Sequence, residues 1–218
     1  MLILASQSPR RRQLLDLLEI PYQILVQEID ETPLPNETVI ETVQRLAKAK
    51  AYAVNHNKTS SPILAADTIV VLEDHGKPQI LGKPRSPEEA QEMLIHLRNR
   101  SHQVMSAIAL MNPNSGEFWG EYLVSNVLMR DYTDKEIDAY IASGDPFDKA
   151  GAYAIQHANF HPVRQLDGCY TNVMGLPLCK VAQLLSRVGF QTTVNIPQIC
   201  AKMFSVECPG HLESPKHR

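Results

Sequence analysis

Residues 63–72 constrain the fold more than any other segment of this chain. They read Ile-Leu-Ala-Ala-Asp-Thr-Ile-Val-Val-Leu, a run that is apolar apart from Asp67 and the threonine after it. A nearly continuous apolar run of this length is typical of a strand that is buried on both faces. Such a strand needs other strands at its edges and helices against its faces. The segment therefore predicts a sheet protein with helices packed around it.

Apolar periodicity and turn residues predict the other elements. Strands are predicted before Ser6 and over residues 22–26, 63–72, 102–111, 118–130 and 150–155, and helices from Pro9 and over 37–54, 87–97, 134–142 and 176–188. Strands alternate with helices early, and a long hairpin occupies the middle. We therefore expect an α/β protein with a mixed sheet, flanking helices and a cleft. From residue 191 the pattern stops, and we expect a weakly ordered tail over 191–218.

Composition excludes several classes of protein. The chain has 218 residues, of which 44% are hydrophobic, and a net charge of −3, so a globular core is expected. This charge does not favour a nucleic-acid backbone or an anionic membrane as a partner. No apolar run approaches the roughly 20 residues that span a bilayer, and the N-terminus lacks the features of a signal peptide. We therefore expect a cytoplasmic protein with neither kind of partner.

The four cysteines lie in the C-terminal quarter of the chain: Cys169, Cys179, Cys200 and Cys208. They form no C-x-x-C pair, and we expect thiols rather than disulfides. A zinc site that combines two of them with His211 is disfavoured because the spacing matches no common zinc pattern.

The segment that follows the first strand has the features of an anion-binding site. Ser8 is placed as a helix N-cap and Pro9 as the first helical residue, next to the arginines at 10–12. This arrangement leaves backbone N–H groups and the positive end of the helix dipole beside the guanidinium groups. From these residues alone, an ordinary amphipathic helix with solvated arginines fits equally well.

Asp67 needs a partner, because an unpaired charge in so apolar a strand is costly. One alternative is a local cap or a structural lysine, and the other is a role as magnesium ligand or water-activating base. Glu31, in a turn after the second strand, is an acid that can converge on the same metal.

Basic residues are dispersed along the chain rather than gathered in one run. They include Arg10, Arg11, Arg12, Lys50, Lys83 and Lys149. A triphosphate binds where such side chains converge with a divalent ion. Gln156 offers the paired donor and acceptor needed to read the edge of a pyrimidine base.

Taken together, these segments resemble the Maf family of nucleoside triphosphate pyrophosphatases. Five motifs in family order carry the resemblance, which spans residues 2 to about 188: Leu-Ala-Ser6-Gln-Ser8-Pro-Arg10-Arg11, Ala-Asp67-Thr68-Ile-Val, Gly-Lys83-Pro, Asp148-Lys149-Ala-Gly-Ala-Tyr-Ala-Ile-Gln156 and Gly168-Cys-Tyr-Thr-Asn-Val-Met-Gly-Leu-Pro177. Any one motif is weak evidence, but five in order are highly specific.

The resemblance implies a fold like that of inosine triphosphatases, with an elongated, twisted mixed sheet and helices that form two lobes around a deep cleft. It implies a single catalytic domain over residues 1–190. It also implies cleavage of a nucleoside triphosphate between the α and β phosphates by metal-assisted attack of water. The expected metal is Mg²⁺ or Mn²⁺, and the resemblance suggests a homodimer.

Residue by residue, Asp67 matches the catalytic acid of the family and, with Glu31, its metal ligands. The positions that match its substrate and phosphate contacts are Ser6, Ser8, Arg10, Arg11, Lys50 and Lys83. Three positions match those that mark the branch acting on dTTP and UTP: Arg11, Thr68 and Gln156.

Two departures from the family pattern affect loop shape and base selectivity. His157 and Ala158 replace the glycine that usually follows Gln156, and Asn99-Arg100 stands where a glycine-bearing turn is common. The alternatives to dTTP and UTP hydrolysis are a pyrophosphatase for 7-methyl-GTP or purine nucleotides, and a nucleotide-binding regulator of septum formation.

Overall fold

The structure is a computed structural model that describes residues 1–55 and 59–204. In this part of the chain, a seven-stranded mixed sheet is flanked by helices. The predicted α/β class is confirmed.

The strands are β1 Leu2–Leu4, β2 Tyr22–Ile24, β3 Ile63–Asp74, β4 Lys77–Leu81, β5 Ser101–Met111, β6 Phe118–Met129 and β7 Val163–Asp167. Their order in the sheet is β2-β1-β3-β5-β6-β7, and β4 pairs with β3 outside this path. β1 runs parallel to β2 and β3, whereas β3–β4 and β6–β7 are antiparallel pairs. The apolar run that predicted a doubly buried strand is β3, which lies inside the sheet.

The helices are α1 Pro9–Asp16, α2 Val39–Asn55, α3 Pro87–Leu97, α4 Asp134–Ala142, α5 Tyr170–Val173, α6 Leu178–Ser186 and α7 Ile196–Phe204. Two short 3-10 turns, Asp145–Asp148 and Ala150–Ala152, lie between α4 and β7.

The chain divides into two compact units. Unit 1 contains Met1–Asp67, Ser106–Leu123 and the chain from Cys169 onward. Unit 2 contains Thr68–Met105 and Val124–Gly168.

In unit 1 the buried core is built from β1 and the apolar faces of the helices. All three residues of β1 are fully buried. On α2, the buried apolar positions recur every three to four residues, at Val43, Leu46, Ala47, Ala51 and Val54. This spacing places them on one face of the helix, as predicted.

In unit 2, polar caps fix where the helices begin. The hydroxyl of Ser86 accepts a hydrogen bond from the Glu89 backbone at 3.2 Å, at the predicted start of α3. Thr133 and Glu136 form a reciprocal capping box at the start of α4. Such caps satisfy backbone donors that the first helical turn leaves without a partner.

The predicted strand over 150–155 is wrong. The chain instead forms a 3-10 turn in which Gly151 has φ +70°, and a side chain there would meet Val70 at 3.1 Å. Gly151 also donates its backbone N–H to the carbonyl of Gly82 at 3.0 Å. Close packing on β3 therefore overrides the apolar pattern that predicted a strand.

Strand β7 is not predicted from the sequence. It pairs antiparallel with β6 at the end of the sheet order. Arg164, Gln165 and Asp167 are exposed, so this strand lacks the apolar pattern of a buried one. An edge strand of this kind is defined by backbone pairing with a distant segment rather than by its own composition.

Asn99 explains how the chain manages without the usual glycine before Ser101. Its φ is +53°, a left-handed conformation that asparagine tolerates better than most residues. Its backbone N–H donates to the carbonyl of Arg130 at 3.2 Å. The turn therefore keeps a glycine-like backbone without glycine.

The C-terminal segment differs from the aperiodic tail that we expected. Helix α7 lies within it, with Ile196 and Cys200 buried, and the ring of Phe204 stacks on Tyr170 at 4.6 Å. The expectation is therefore corrected for 196–204. Residues 205–218 of the predicted tail, with Cys208 and His211, lie outside the described residues.

Cys169, Cys179 and Cys200, the cysteines within the described ranges, form no disulfide, as expected. No helix in the described part of the chain is both long and apolar enough to cross a membrane.

Candidate functional site

Seven of the predicted site residues lie in unit 1: Ser6, Ser8, Arg10, Arg11, Glu31, Lys50 and Asp67. They come from four separate parts of the chain: the β1–α1 junction, the loop after β2, helix α2 and strand β3. The fold brings these segments together through two sets of contacts.

The first set joins two carboxylates through one lysine. Lys50 Nζ lies 2.6 Å from Asp67 Oδ1 and 2.6 Å from Glu31 Oε1. Asp67 is only 7% exposed, whereas the Glu31 side chain is 59% exposed. We call these three residues the Lys50 cluster. The structural lysine that the sequence left open as a partner for Asp67 is therefore present, and a second acid shares it.

The second set is centred on Arg11. Its Nε donates to the carbonyl of Gly175 at 2.9 Å, and its Nη1 donates to the carbonyl of Ala66 at 2.7 Å. Nη1 also donates to Ser6 Oγ at 3.4 Å. Burial lowers the pKa of Arg11, and the negative charge of Asp67 opposes this shift. Arg11 therefore ties the β1–α1 junction to the residue directly before Asp67.

The start of α1 matches the predicted anion-binding geometry in part. Ser8 is at the N-cap and Pro9 begins the helix, but within the described structure the Ser8 side chain makes no capping hydrogen bond. Instead, Ser6 Oγ accepts the backbone N–H of Ser8 at 3.2 Å. The positive end of the α1 helix dipole lies at this junction and favours an anion. Arg10 lies half-buried in the first turn.

The other predicted residues lie in unit 2. Thr68 follows Asp67 on β3 and is half-buried, and Lys83 is exposed between β4 and α3. Gln156 is exposed in a turn rather than at the end of a strand. Among the hydrogen bonds of the described residues, none joins Lys83 to Gln156, although Gly151 contacts the residue before Lys83.

Lys149 was among the dispersed basic residues considered for phosphate binding, but its ammonium group contacts two neighbouring acids. It is 5% exposed, and its Nζ lies 2.9 Å from Asp145 Oδ1 and 2.6 Å from Asp148 Oδ1. Burial acts to raise the pKa of Asp145, but hydrogen bonds from Lys149 and Tyr140 outweigh it and lower that pKa. We call Lys149, Asp145 and Asp148 the Lys149 cluster. Its role in this structure is to bind its own neighbours.

Tyr140, which is not among the residues predicted from the sequence, contacts both the Lys149 cluster and the turn that contains Gln156. Its hydroxyl donates to Asp145 Oδ2 at 2.7 Å and accepts the backbone N–H of Ala154 at 3.0 Å. In the sequence, Tyr140 looks like an ordinary core position of an amphipathic helix. The only signal was its place on the inward face of α4.

The chemistry of the Lys50 cluster fits a hard divalent cation. Within residues 1–55 and 59–204, no group of three or more His, Cys, Asp or Glu side chains is arranged to hold a metal. Mg²⁺, however, usually binds proteins through one or two carboxylates and completes its shell with water and substrate phosphates. Asp67 and Glu31 form such a pair of carboxylates, because an oxygen of each contacts the Lys50 ammonium group.

Comparison with known proteins connects these residues to one family. A family model described as Maf-like protein matches residues 1–188. A Halalkalibacterium halodurans protein named dTTP/UTP pyrophosphatase is 44% identical over 191 residues, which cover 88% of this chain and 97% of that protein. A Methylococcus capsulatus protein of the same name is 45% identical over 192 residues, which cover 88% of this chain and 92% of that protein.

Among solved structures, a HAM1 protein from Coxiella burnetii overlaps with a TM-score of 0.47 at 19% identity, covering 85% of this chain and 98% of that one. The Ham1 protein of Staphylococcus aureus overlaps with a TM-score of 0.41 at 18% identity, covering 60% of this chain and 72% of that one.

Proposed function

The chain belongs to the Maf family, and from this premise we propose that it hydrolyses dTTP and UTP to the nucleoside monophosphate and pyrophosphate. The relatives that carry the name dTTP/UTP pyrophosphatase are matched over nearly their whole length. This makes the chain a nucleoside triphosphate diphosphatase, a hydrolase of acid anhydrides.

One observation carries the proposal: Asp67 and Glu31 contact the same lysine nitrogen at 2.6 Å each. Burial of Asp67 alone requires one positive partner, and Lys50 supplies it. Glu31 brings a second carboxylate to the same nitrogen. Two hard oxygen ligands at one point suit a divalent cation, as a reaction on a triphosphate requires.

The start of α1 binds phosphate oxygens. The helix dipole attracts the anion, and Arg10 adds a full positive charge in the first turn. Ser6 and Ser8 hold the shape of this junction through the 3.2 Å hydrogen bond between them. Arg11 adds its charge while its hydrogen bonds keep the junction beside Ala66.

Asp67 accepts a proton from the attacking water. A water molecule attacks the α phosphorus, and its proton passes to the carboxylate of Asp67. The bond between the α phosphorus and the oxygen that bridges it to the β phosphorus breaks, which releases pyrophosphate. Lys50 and Lys83 stabilise the negative charge that develops on the phosphates. Their positive charges keep the leaving pyrophosphate from having to depart protonated.

Asp67 and Glu31 would hold a divalent metal, Mg²⁺ or Mn²⁺. When bound, it would neutralise phosphate charge and make water a stronger acid. Both ions prefer the hard oxygen ligands that these carboxylates provide.

Base selectivity belongs to Gln156, with Thr68 and Arg11 as the other specificity positions. The side-chain amide of Gln156 pairs a donor with an acceptor, as the edge of uracil or thymine does. Its exposed position in a turn leaves the amide accessible to a ligand.

Four further proposals concern the domain, the compartment, the excluded partners and the oligomeric state. The catalytic domain is residues 1–190, in line with a family match that ends at residue 188. The enzyme acts in the cytoplasm, where free nucleotides are found. It binds neither nucleic acid nor membranes, and size-exclusion chromatography with light scattering tests whether it is a homodimer.

A nucleotide panel with product analysis tests the proposed function. Purified protein with Mg²⁺ is expected to release pyrophosphate and the monophosphate from dTTP and UTP, at higher kcat/KM than from ATP, GTP or 7-methyl-GTP. Preference for 7-methyl-GTP would assign the chain to the other branch. Binding of UTP without any turnover would instead support a regulatory protein.

A further inference from the structure

The turn that carries Gln156 is attached to one side chain, Tyr140, near both of its ends. At its start, the backbone N–H of Ala154 donates to the Tyr140 hydroxyl at 3.0 Å. At its end, the ring of His157 packs edge-on against Tyr140 with the ring centres 4.7 Å apart. The backbone N–H of His157 closes the turn on the carbonyl of Ala154 at 3.1 Å. Gln156 therefore lies in a short turn whose first and last residues, Ala154 and His157, both contact Tyr140.

Tyr140 is itself fixed in place. It is 2% exposed, and its hydroxyl donates to Asp145 Oδ2 at 2.7 Å. The other oxygen of Asp145 accepts from Lys149 Nζ at 2.9 Å. Because the Tyr140 hydroxyl donates its hydrogen to Asp145, a lone pair of the hydroxyl oxygen faces the Ala154 N–H and accepts from it. The Lys149 cluster thus sets the orientation of the group that holds the turn.

His157 reinforces the same attachment. Its Nδ1 accepts the backbone N–H of Phe160 at 3.0 Å, and the ring of Phe160 stacks on Tyr140 at 4.4 Å with an interplanar angle of 17°. Glycine, which the family usually has after Gln156, offers no ring and no such acceptor. In this chain the departure from the family pattern adds contacts to the turn.

We propose that Tyr140 is a positioning residue for nucleobase selectivity, acting through the turn that presents Gln156. This inference rests on the proposed function, because it assumes that Gln156 reads the base. A side-chain amide discriminates between bases only while its donor and acceptor keep their direction. Loss of the hydroxyl frees the start of the turn and weakens binding of the pyrimidine more than binding of other bases.

The test compares two tyrosine-to-phenylalanine variants. Tyr140→Phe removes the hydroxyl and keeps the ring against His157 and Phe160. Tyr132→Phe is the matched control. Its hydroxyl is also buried in unit 2, donates to the Leu94 carbonyl at 2.7 Å, and its ring also contacts Phe160, at 4.8 Å. Of these two hydroxyls, the described structure connects only that of Tyr140 to residues 154–157.

Two measurements are made on the wild type, both variants and Gln156→Ala. The first is the ratio of kcat/KM for UTP to that for ATP. The second is amide hydrogen exchange of residues 153–157. We expect Tyr140→Phe to narrow the ratio by roughly 3- to 10-fold, the effect of one hydrogen bond, and to speed exchange in the turn. Tyr132→Phe is expected to leave both at the wild-type value.

The outcomes separate this inference from the proposed function. If the wild type prefers UTP and Gln156→Ala narrows the ratio while Tyr140→Phe matches Tyr132→Phe, the inference fails and the proposed function stands. Equal loss with UTP and ATP in Tyr140→Phe would show a merely structural role and also overturn the inference. A wild type without pyrimidine preference would overturn both.

Discussion

Two lysines of this protein each contact two acids, and the two clusters are built in opposite ways. The acids around Lys50 come from residues 31 and 67, distant in the sequence, whereas those around Lys149 are its own neighbours at 145 and 148. The side chain of Lys50 is 18% exposed and that of Lys149 is 6% exposed. Local pairing fixes a turn, while long-range convergence of charge forms a place where a ligand can bind.

The largest expected difference between the two clusters is the effect on kcat of replacing one acid in each. Asp67→Asn keeps the shape of the side chain and removes its charge, and we expect kcat to fall about 100-fold or more because the base and metal ligand is lost. Asp148→Asn is the matched control, with kcat near the wild-type value. Pyrophosphate release and UTP binding by calorimetry measure both variants, and near wild-type kcat in Asp67→Asn contradicts the account.

Metal removal should affect activity through the Lys50 cluster. With EDTA we expect turnover to vanish, since Asp67 and Glu31 are left without the ion that neutralises the triphosphate. Mg²⁺ or Mn²⁺ should restore it, and Zn²⁺ should restore it poorly. The rate in metal-depleted buffer is followed during titration with each ion. Full activity in rigorously metal-free buffer would contradict this prediction.

The free energy of unfolding should depend on pH through His102, a buried residue of unit 2. His102 is 3% exposed, its Nε2 lies 2.7 Å from the Tyr153 hydroxyl, and burial lowers its pKa from 6.5 to about 4. Between these values the unfolded chain binds the proton and the folded chain does not. The free energy of unfolding should therefore be unaffected by this group above about pH 6.5 and fall as the pH drops towards 4, by about 3 kcal/mol in all.

Urea unfolding at several pH values between 7.5 and 4.5 measures this loss. The reference is His102→Gln, which does not titrate and should lose less stability than the wild type over the same range. Parallel pH profiles for the two proteins would show that His102 is not the group responsible.

The sequence predicts best what is decided locally. Helix α3 begins at Pro87 and ends at Leu97 as predicted, because Ser86 caps it and its apolar spacing is its own. The error at 150–155 has the opposite cause, since Gly151 is fixed by Val70, a residue far away in the chain. Likewise, β7 exists because β6 offers it backbone partners.

The same distinction applies to the candidate site. A lone acid in an apolar strand identified Asp67 from sequence, and the resemblance added Glu31 and Lys50. That one lysine nitrogen would contact both carboxylates depends on how α2, β3 and the loop after β2 meet, which no local pattern encodes. Tyr140 was missed for this reason too, because its contacts with Asp145 and Ala154 become visible only once α4 is packed.

The smallest predicted effect concerns the base. Gln156→Ala should reduce the preference for UTP over ATP by roughly 10-fold, as expected for the loss of a paired hydrogen-bonding group near an exposed turn. Steady-state kinetics with both nucleotides measure it. A uniform loss with both would mean that Gln156 does not read the base.

The most direct test replaces Lys50 or Lys149, one at a time, with methionine, a neutral side chain of similar length. Lys50→Met and Lys149→Met are compared for kcat with UTP and for stability in urea, at a temperature where circular dichroism shows both to be folded. For Lys50→Met we predict a loss of about 100-fold in kcat. We also predict a loss of about 2 kcal/mol or more in stability, because Asp67 is left buried without this partner. For Lys149→Met we predict a loss of about 2 kcal/mol in stability, with kcat within about 10-fold of the wild type. A folded Lys149→Met protein that loses as much turnover as Lys50→Met would contradict the account.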